Sequence, residues 1–159
     1  MKFISTLVIG ALLAVTAGTT FAAGMSAHSI DGTWTMNAEK SKFSGPGFKS
    51  QTRTYSEAAD GAITMAFKGV ASDGSAVSGG STFKYDGKDY PITGSSDFDT
   101  LTGKKINGST VKFSLKKAGK MVGTGTRTVS AHGKVFTLTT KIKGASGSSG
   151  TSTMVFDKQ

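Results

Sequence analysis

Apolar and polar residues alternate with a period of two along most of the chain beyond residue 30. Ile63, Met65 and Phe67 alternate with Thr64, Ala66 and Lys68, and Val111, Phe113 and Leu115 alternate with Lys112, Ser114 and Lys116. Phe136, Leu138 and Ile142 alternate in the same way with Thr137, Thr139 and Lys141. Successive side chains of a strand point to opposite faces, so the pattern predicts strands with one apolar and one wet face. Turn-prone pairs punctuate it at Asp60-Gly61, Asp73-Gly74, Asp86-Gly87, Asn107-Gly108, Ala118-Gly119, His132-Gly133 and Ser146-Gly147, with a further break near Gly94. Asp-Gly and Asn-Gly tolerate positive φ, and turns at such regular intervals predict an antiparallel meander. Helical periodicity is confined to at most one turn over Ala38–Lys42. A run of eight to ten sequential strands must hide two edges. Closure into an up-and-down barrel hides both, and short turns favour neighbour pairing over the alternative, a two-sheet sandwich.

Register identifies the inward residues. Pairing about His132-Gly133 sets Val129 opposite Phe136, Arg127 opposite Leu138 and Gly123 opposite Ile142. Met121, Gly123, Gly125, Arg127 and Val129 are then expected on the apolar face. The preceding hairpin agrees only if an odd residue is accommodated at Ala118-Gly119, because a one-residue slip exchanges the two faces of a strand. Arg53 and Tyr55 also share a face. They are expected to point outward, the alternative being a joint anion site.

Residues 1–22 differ from the rest. Met1-Lys2, the apolar run 3–15 and the small residues ending Phe21-Ala22-Ala23 have the order of a secretory signal peptide, with cleavage expected after about Ala22. The run is short for a bilayer span. The expected organisation is signal peptide 1–22, flexible leader 23–29 and one barrel domain 30–158, secreted or periplasmic, with no transmembrane segment in the mature chain.

Composition narrows the chemistry. There is no cysteine and only two histidines, so disulfides, thiolate metal sites and thiol nucleophiles are excluded and a histidine metal site nearly so. Without Lys2, 18 basic residues face 10 acidic ones, a formal charge of +8. Such a chain favours anionic surfaces, and Lys112, Lys116, Lys117, Lys120, Lys141 and Lys143 are the candidate basic face toward envelope polyanions or lipid headgroups. Nucleic acid is not expected, since no aromatic-rich basic stretch offers a stacking platform. Asp97 and Asp99 are the nearest approach to a catalytic dyad, but they flank a loop. No catalytic residue, metal site or cofactor is assigned, and the chain is not expected to be an enzyme.

Gly32-Thr33-Trp34 opens the first strand, Thr126-Arg127 lies on a late strand, and the chain closes with Thr153-Met154-Val155-Phe156-Asp157-Lys158. These features resemble the calycins, the lipocalins and fatty-acid-binding proteins. Two further blocks, Gly32-Thr33-Trp34…Asn37…Lys40-Ser41-x-Phe43 and Tyr85-Asp86-Gly87-Lys88-x-Tyr90-Pro91-x-Thr93-Gly94, are similar to uncharacterised lipocalin-like proteins secreted by bacteria. The resemblance implies a lipocalin-like barrel in which Trp34 and Arg127 form a closing pair at one end. It also marks a departure: Met154 and Phe156 stand where fatty-acid-binding proteins carry their Arg-x-Tyr carboxylate clamp. The stretch 38–50 is too short and broken for their helical lid. The expected function is carriage of a small apolar or amphipathic ligand. Met36, Met65, Phe67, Phe113, Arg127, Leu138, Met154 and Phe156 are the candidate lining, with Arg127 read either as packing on Trp34 or as an anchor for an anionic group. A filled barrel acting through its basic outer face is the alternative.

Overall fold

The computed structural model describes residues 29–143 and 149–159. The proposed signal peptide, nearly all of the leader, and the Ser146-Gly147 turn lie outside them. Ten strands follow one another: β1 (Gly32–Phe43), β2 (Phe48–Glu57), β3 (Ile63–Ala71), β4 (Ala76–Phe83), β5 (Asp86–Pro91), β6 (Thr100–Lys105), β7 (Thr110–Lys117), β8 (Lys120–Val129), β9 (Val135–Lys143) and β10 (Ser149–Lys158). They form one antiparallel sheet in the order β4-β3-β2-β1-β10-β9-β8-β7-β6-β5. Every neighbour is a sequence neighbour except β1 and β10, whose pairing joins the two ends of the chain. The all-β up-and-down barrel expected from the alternation is the architecture observed.

The remaining edges, β4 and β5, meet across a seam bridged by loop contacts rather than a ladder. Thr93 N–H donates to Gly80 O at 3.0 Å, Gly80 N–H to Thr93 Oγ1 at 3.1 Å, and Ser81 Oγ to Pro91 O at 2.7 Å. Backbones approach so closely here that a Cβ on Gly79 would collide with Thr93 O, and one on Gly94 with Ser78 O. The block Tyr85–Gly94 therefore has a physical reason, because it builds the seam. Asp86-Gly87 is not the hairpin turn its sequence predicts. Gly87 takes φ +80° at the start of β5, where Asp86 accepts hydrogen bonds from Lys88 N–H and Tyr90 Oη.

The other block shapes β1. Its register against β10 shifts between Asn37 and Lys42, and the bulge is held by Lys40 N–H to Asn37 Oδ1 at 3.1 Å and Ser41 Oγ to Asn37 O at 2.7 Å. Asn37 also donates to Asp157 at 2.8 Å, fixing the bulge to the last strand. What reads as a helical turn over 38–42 is this bulge.

Register at β8–β9 is as expected, with Arg127 opposite Leu138 and Val129 opposite Phe136. The odd residue of the preceding hairpin lies elsewhere than predicted. Ala118 and Gly119, at φ +49° and +77°, form a strict two-residue turn with Lys117 opposite Lys120. The ladder then runs from Lys116–Met121 to Leu115–Gly123, so the extra residue is Val122, inside β8. That bulge puts Gly123, Gly125 and Arg127 inward and turns Met121 out, correcting its inward assignment. Met121 is 58% exposed.

The core concentrates at one end. Trp34, Phe136, Phe156 and Ile63 are fully buried there, with Phe136 stacked on Phe156 at 4.5 Å and edge-on to Trp34 at 4.9 Å. Trp34 Nε1–H donates to Ile30 O at 2.7 Å, so the indole is buried without an orphaned donor. The cation over its ring is Lys158, 5.2 Å from the centroid. The expected Trp34–Arg127 pair is replaced by this contact, because Arg127 stacks on two tyrosines further up the barrel.

Candidate functional site

Above the packed end the barrel is hollow, with a cavity of about 280 Å³. Met65, Phe67, Phe113, Leu138 and Met154, all from the candidate lining, face it together with Arg127. Met36 and Phe156 do not. Both are buried below it, Phe156 against Phe136, and this corrects their placement as lining. Phe43, Phe48, Ile92 and Phe98 ring the mouth and are only partly buried. Gly125 leaves its space to the Phe113 ring, which a Cβ there would strike. A Cβ there would also strike Thr139 O of the neighbouring strand β9.

The polar side of the cavity comes mainly from β2, where Gln51, Arg53 and Tyr55 alternate with Thr52, Thr54 and Ser56. The outward placement of Arg53 and Tyr55 is corrected. Tyr55 is buried, and the Arg53 guanidinium carbon lies 5.6 Å from the Phe67 ring centroid and 5.4 Å from that of Phe156. Arg53 stands opposite Trp34 in the β1–β2 ladder and opposite Phe67 in β2–β3, both inward residues. Period alone could not reveal this, since β2 alternates polar with polar. Counting register from Trp34 would have done so.

Arg127 is 8% exposed, its guanidinium carbon 5.4 Å from the Tyr55 ring and 5.5 Å from the Tyr85 ring. Among the described residues no ion pair involves either arginine. Among the described residues three buried side-chain polar atoms have no hydrogen-bond partner: Gln51 Nε2, Tyr85 Oη and Arg127 Nε. All three belong to residues lining the cavity. Burial raises the Tyr85 phenol above its ordinary value, with the Arg127 guanidinium pulling less strongly the other way, so the phenol stays protonated at neutral pH. Neither Gln51 nor Tyr85 was singled out from sequence as a site residue. Tyr85 was visible only as the first residue of a motif block.

Asp97 and Asp99 do not form a dyad. Asp97 is exposed at the cavity rim, whereas Asp99 accepts hydrogen bonds from Ala118 N–H and Thr100 Oγ1, which hold its carboxyl below the ordinary value. Of the candidate basic face, Lys116 and Lys117 are in ion pairs with Asp89 and Asp99, at 2.7 and 3.9 Å. Lys112, Lys120, Lys141 and Lys143 are exposed. Among the described residues no group of three or more histidines or carboxylates could hold a metal ion, and no helix is long and apolar enough to cross a membrane.

No family model matches the chain, and no curated protein matches it. Among solved structures it is similar to EF1p2_mFAP2b bound to DFHBI, at 15% identity and TM-score 0.48 over 85% of this chain and 98% of that one. A redesigned beta barrel, mFAP1, also bound to DFHBI, aligns at 13% identity and TM-score 0.44 over 84% and 99%. The zebrafish ileal bile acid-binding protein complexed with cholic acid aligns at 12% identity and TM-score 0.46 over 81% and 98%. The barrel assignment rests on the strand ladder itself.

Proposed function

We propose that this chain is an exported binding protein that carries a small amphipathic molecule inside its barrel. The observation behind the proposal is the cavity, whose wall is apolar and aromatic on most sides and bears a few convergent polar groups, the usual form of a small-molecule site. Its volume, near the roughly 300 Å³ lower bound of such sites, favours a compact ligand over a long lipid. Affinity would come from desolvating the ligand body against Met65, Phe67, Phe113 and Leu138, and orientation from the polar groups of β2 and β8. Export rests on the order of residues 1–22. No catalytic role is proposed.

Anilinonaphthalene sulfonate, an aromatic body with one anionic group, is a suitable probe. At about 0.3 kcal/mol per heavy atom its expected Kd is on the order of tens of micromolar. Its fluorescence should rise on binding at one site. Thr140→Phe, which places a ring in the cavity from β9, should weaken it by about tenfold or more without unfolding the barrel. Equal binding to the two proteins would mean that the probe sits elsewhere and would overturn the reading.

A further inference from the structure

Gln51 is 2% exposed and faces the cavity. Arg53 donates its Nε–H to Gln51 Oε1 at 2.7 Å. That bond settles which way the amide points, since only its oxygen can accept from a guanidinium. Gln51 Nε2 is therefore turned away from Arg53, buried and without an acceptor. The guanidinium is held just as firmly. Its Nε is fixed by Gln51, a terminal nitrogen lies 3.5 Å from Tyr55 Oη, and the Phe67 and Phe156 rings flank it. The remaining N–H groups of Arg53 make no hydrogen bond to any described residue.

Among the described residues no carboxylate is ion-paired with either arginine. Among the described lining residues the one carboxylate is Asp97, exposed at the rim and in no ion pair with Arg53 or Arg127. The other two orphaned groups are Arg127 Nε–H, a donor, and the Tyr85 hydroxyl, which can donate or accept. Buried donors and buried positive charge are costly until an acceptor or anion reaches them. Gln51 Nε2 and Arg127 Nε can be met only by an acceptor.

We infer that Gln51 and Arg53 form the seat for the carboxylate of an organic acid, whose apolar body runs toward the mouth between Phe43, Phe48 and Phe98. The amide N–H and the free guanidinium N–H groups suit the two oxygens of a planar carboxylate. Arg127, stacked between Tyr55 and Tyr85, adds positive field from β8 rather than the main contact. This deepens the carrier reading and rests on it.

The test is calorimetric titration with octanoate and with octanol, which share an apolar body and differ in the head. The wild-type protein should bind octanoate at least about tenfold more tightly than octanol. Arg53→Met keeps the apolar stem over Phe67 and Phe156, and Gln51→Leu removes the amide; each should abolish most of that preference and leave octanol within about threefold of wild type. Arg127→Met should reduce it far less. Equal wild-type affinity for the two probes, or a preference that survives both β2 substitutions, overturns the seat and leaves the carrier reading standing. Failure of both probes to bind overturns the seat, and the carrier reading falls with it when anilinonaphthalene sulfonate also fails to bind.

Discussion

Replacing Trp34 with alanine should cost about 3–5 kcal/mol, read as a fall in the urea midpoint at unchanged slope. The indole is fully buried, edge-on to Phe136, covered by Lys158, and bonded through Nε1–H to Ile30 O. Truncation leaves a large cavity and orphans the Ile30 carbonyl in one step. Against the usual total of about 5–15 kcal/mol the loss is a large fraction. Trp34→Phe separates the two causes: most of the volume stays, so the cost should fall toward the roughly 0.5–1.5 kcal/mol of a hydrogen bond plus some packing. A loss under about 1 kcal/mol for Trp34→Ala would show that the barrel is held elsewhere. Because this end is packed solid, it forms the floor of the cavity above it.

Arg127→Met should act in the opposite direction and stabilise the empty protein by about 1–3 kcal/mol. The guanidinium is nearly fully buried, with no ion pair among the described residues and its Nε without an acceptor. Stacking on Tyr55 and Tyr85, worth about 2 kcal/mol or more per desolvated ring, recovers only part of the desolvation cost, and a methionine stem keeps the ring contacts. The same substitution should weaken anilinonaphthalene sulfonate several-fold, because the positive field is reduced. Stability gained with binding lost is the mark of a charge kept for a ligand. Destabilisation by more than about 1 kcal/mol would instead make Arg127 a packing residue of the tyrosine stack.

The architecture was legible because most strands separate apolar from polar residues cleanly. In β3, β7 and β9 the alternation alone chose the inward face, and symmetric pairing about His132-Gly133 carried that choice to Arg127. Legibility failed where a local signal was put to another use. Asp86-Gly87 has the composition of a turn, yet its φ is used at the start of an edge strand and its carboxylate ties that strand down. Val122 is a bulge that no residue type announces, and Met121 turns outward because of it. The polar half of the site was hidden for a third reason. Gln51, Arg53 and Tyr55 sit on a strand whose two faces are both polar, so hydropathy could not tell inside from outside. Only their partners across the ladder could.

The seam and the site also explain the sequence blocks that carried the resemblance. Asn37 and Ser41 hold the bulge of β1, and Thr93 and Gly94 close the barrel. Tyr85 puts its phenol into the cavity. The blocks describe how this barrel is shut, whereas Gln51, Arg53 and Arg127 describe what its interior is complementary to.

Native mass spectrometry of the protein purified without denaturant tests the central claim most directly. The account predicts a mature chain beginning at Ala23 with a discrete mass excess, lost on solvent extraction and recovered when a small organic acid is added back. A bare mass before extraction, together with no uptake of octanoate or anilinonaphthalene sulfonate afterwards, would contradict it.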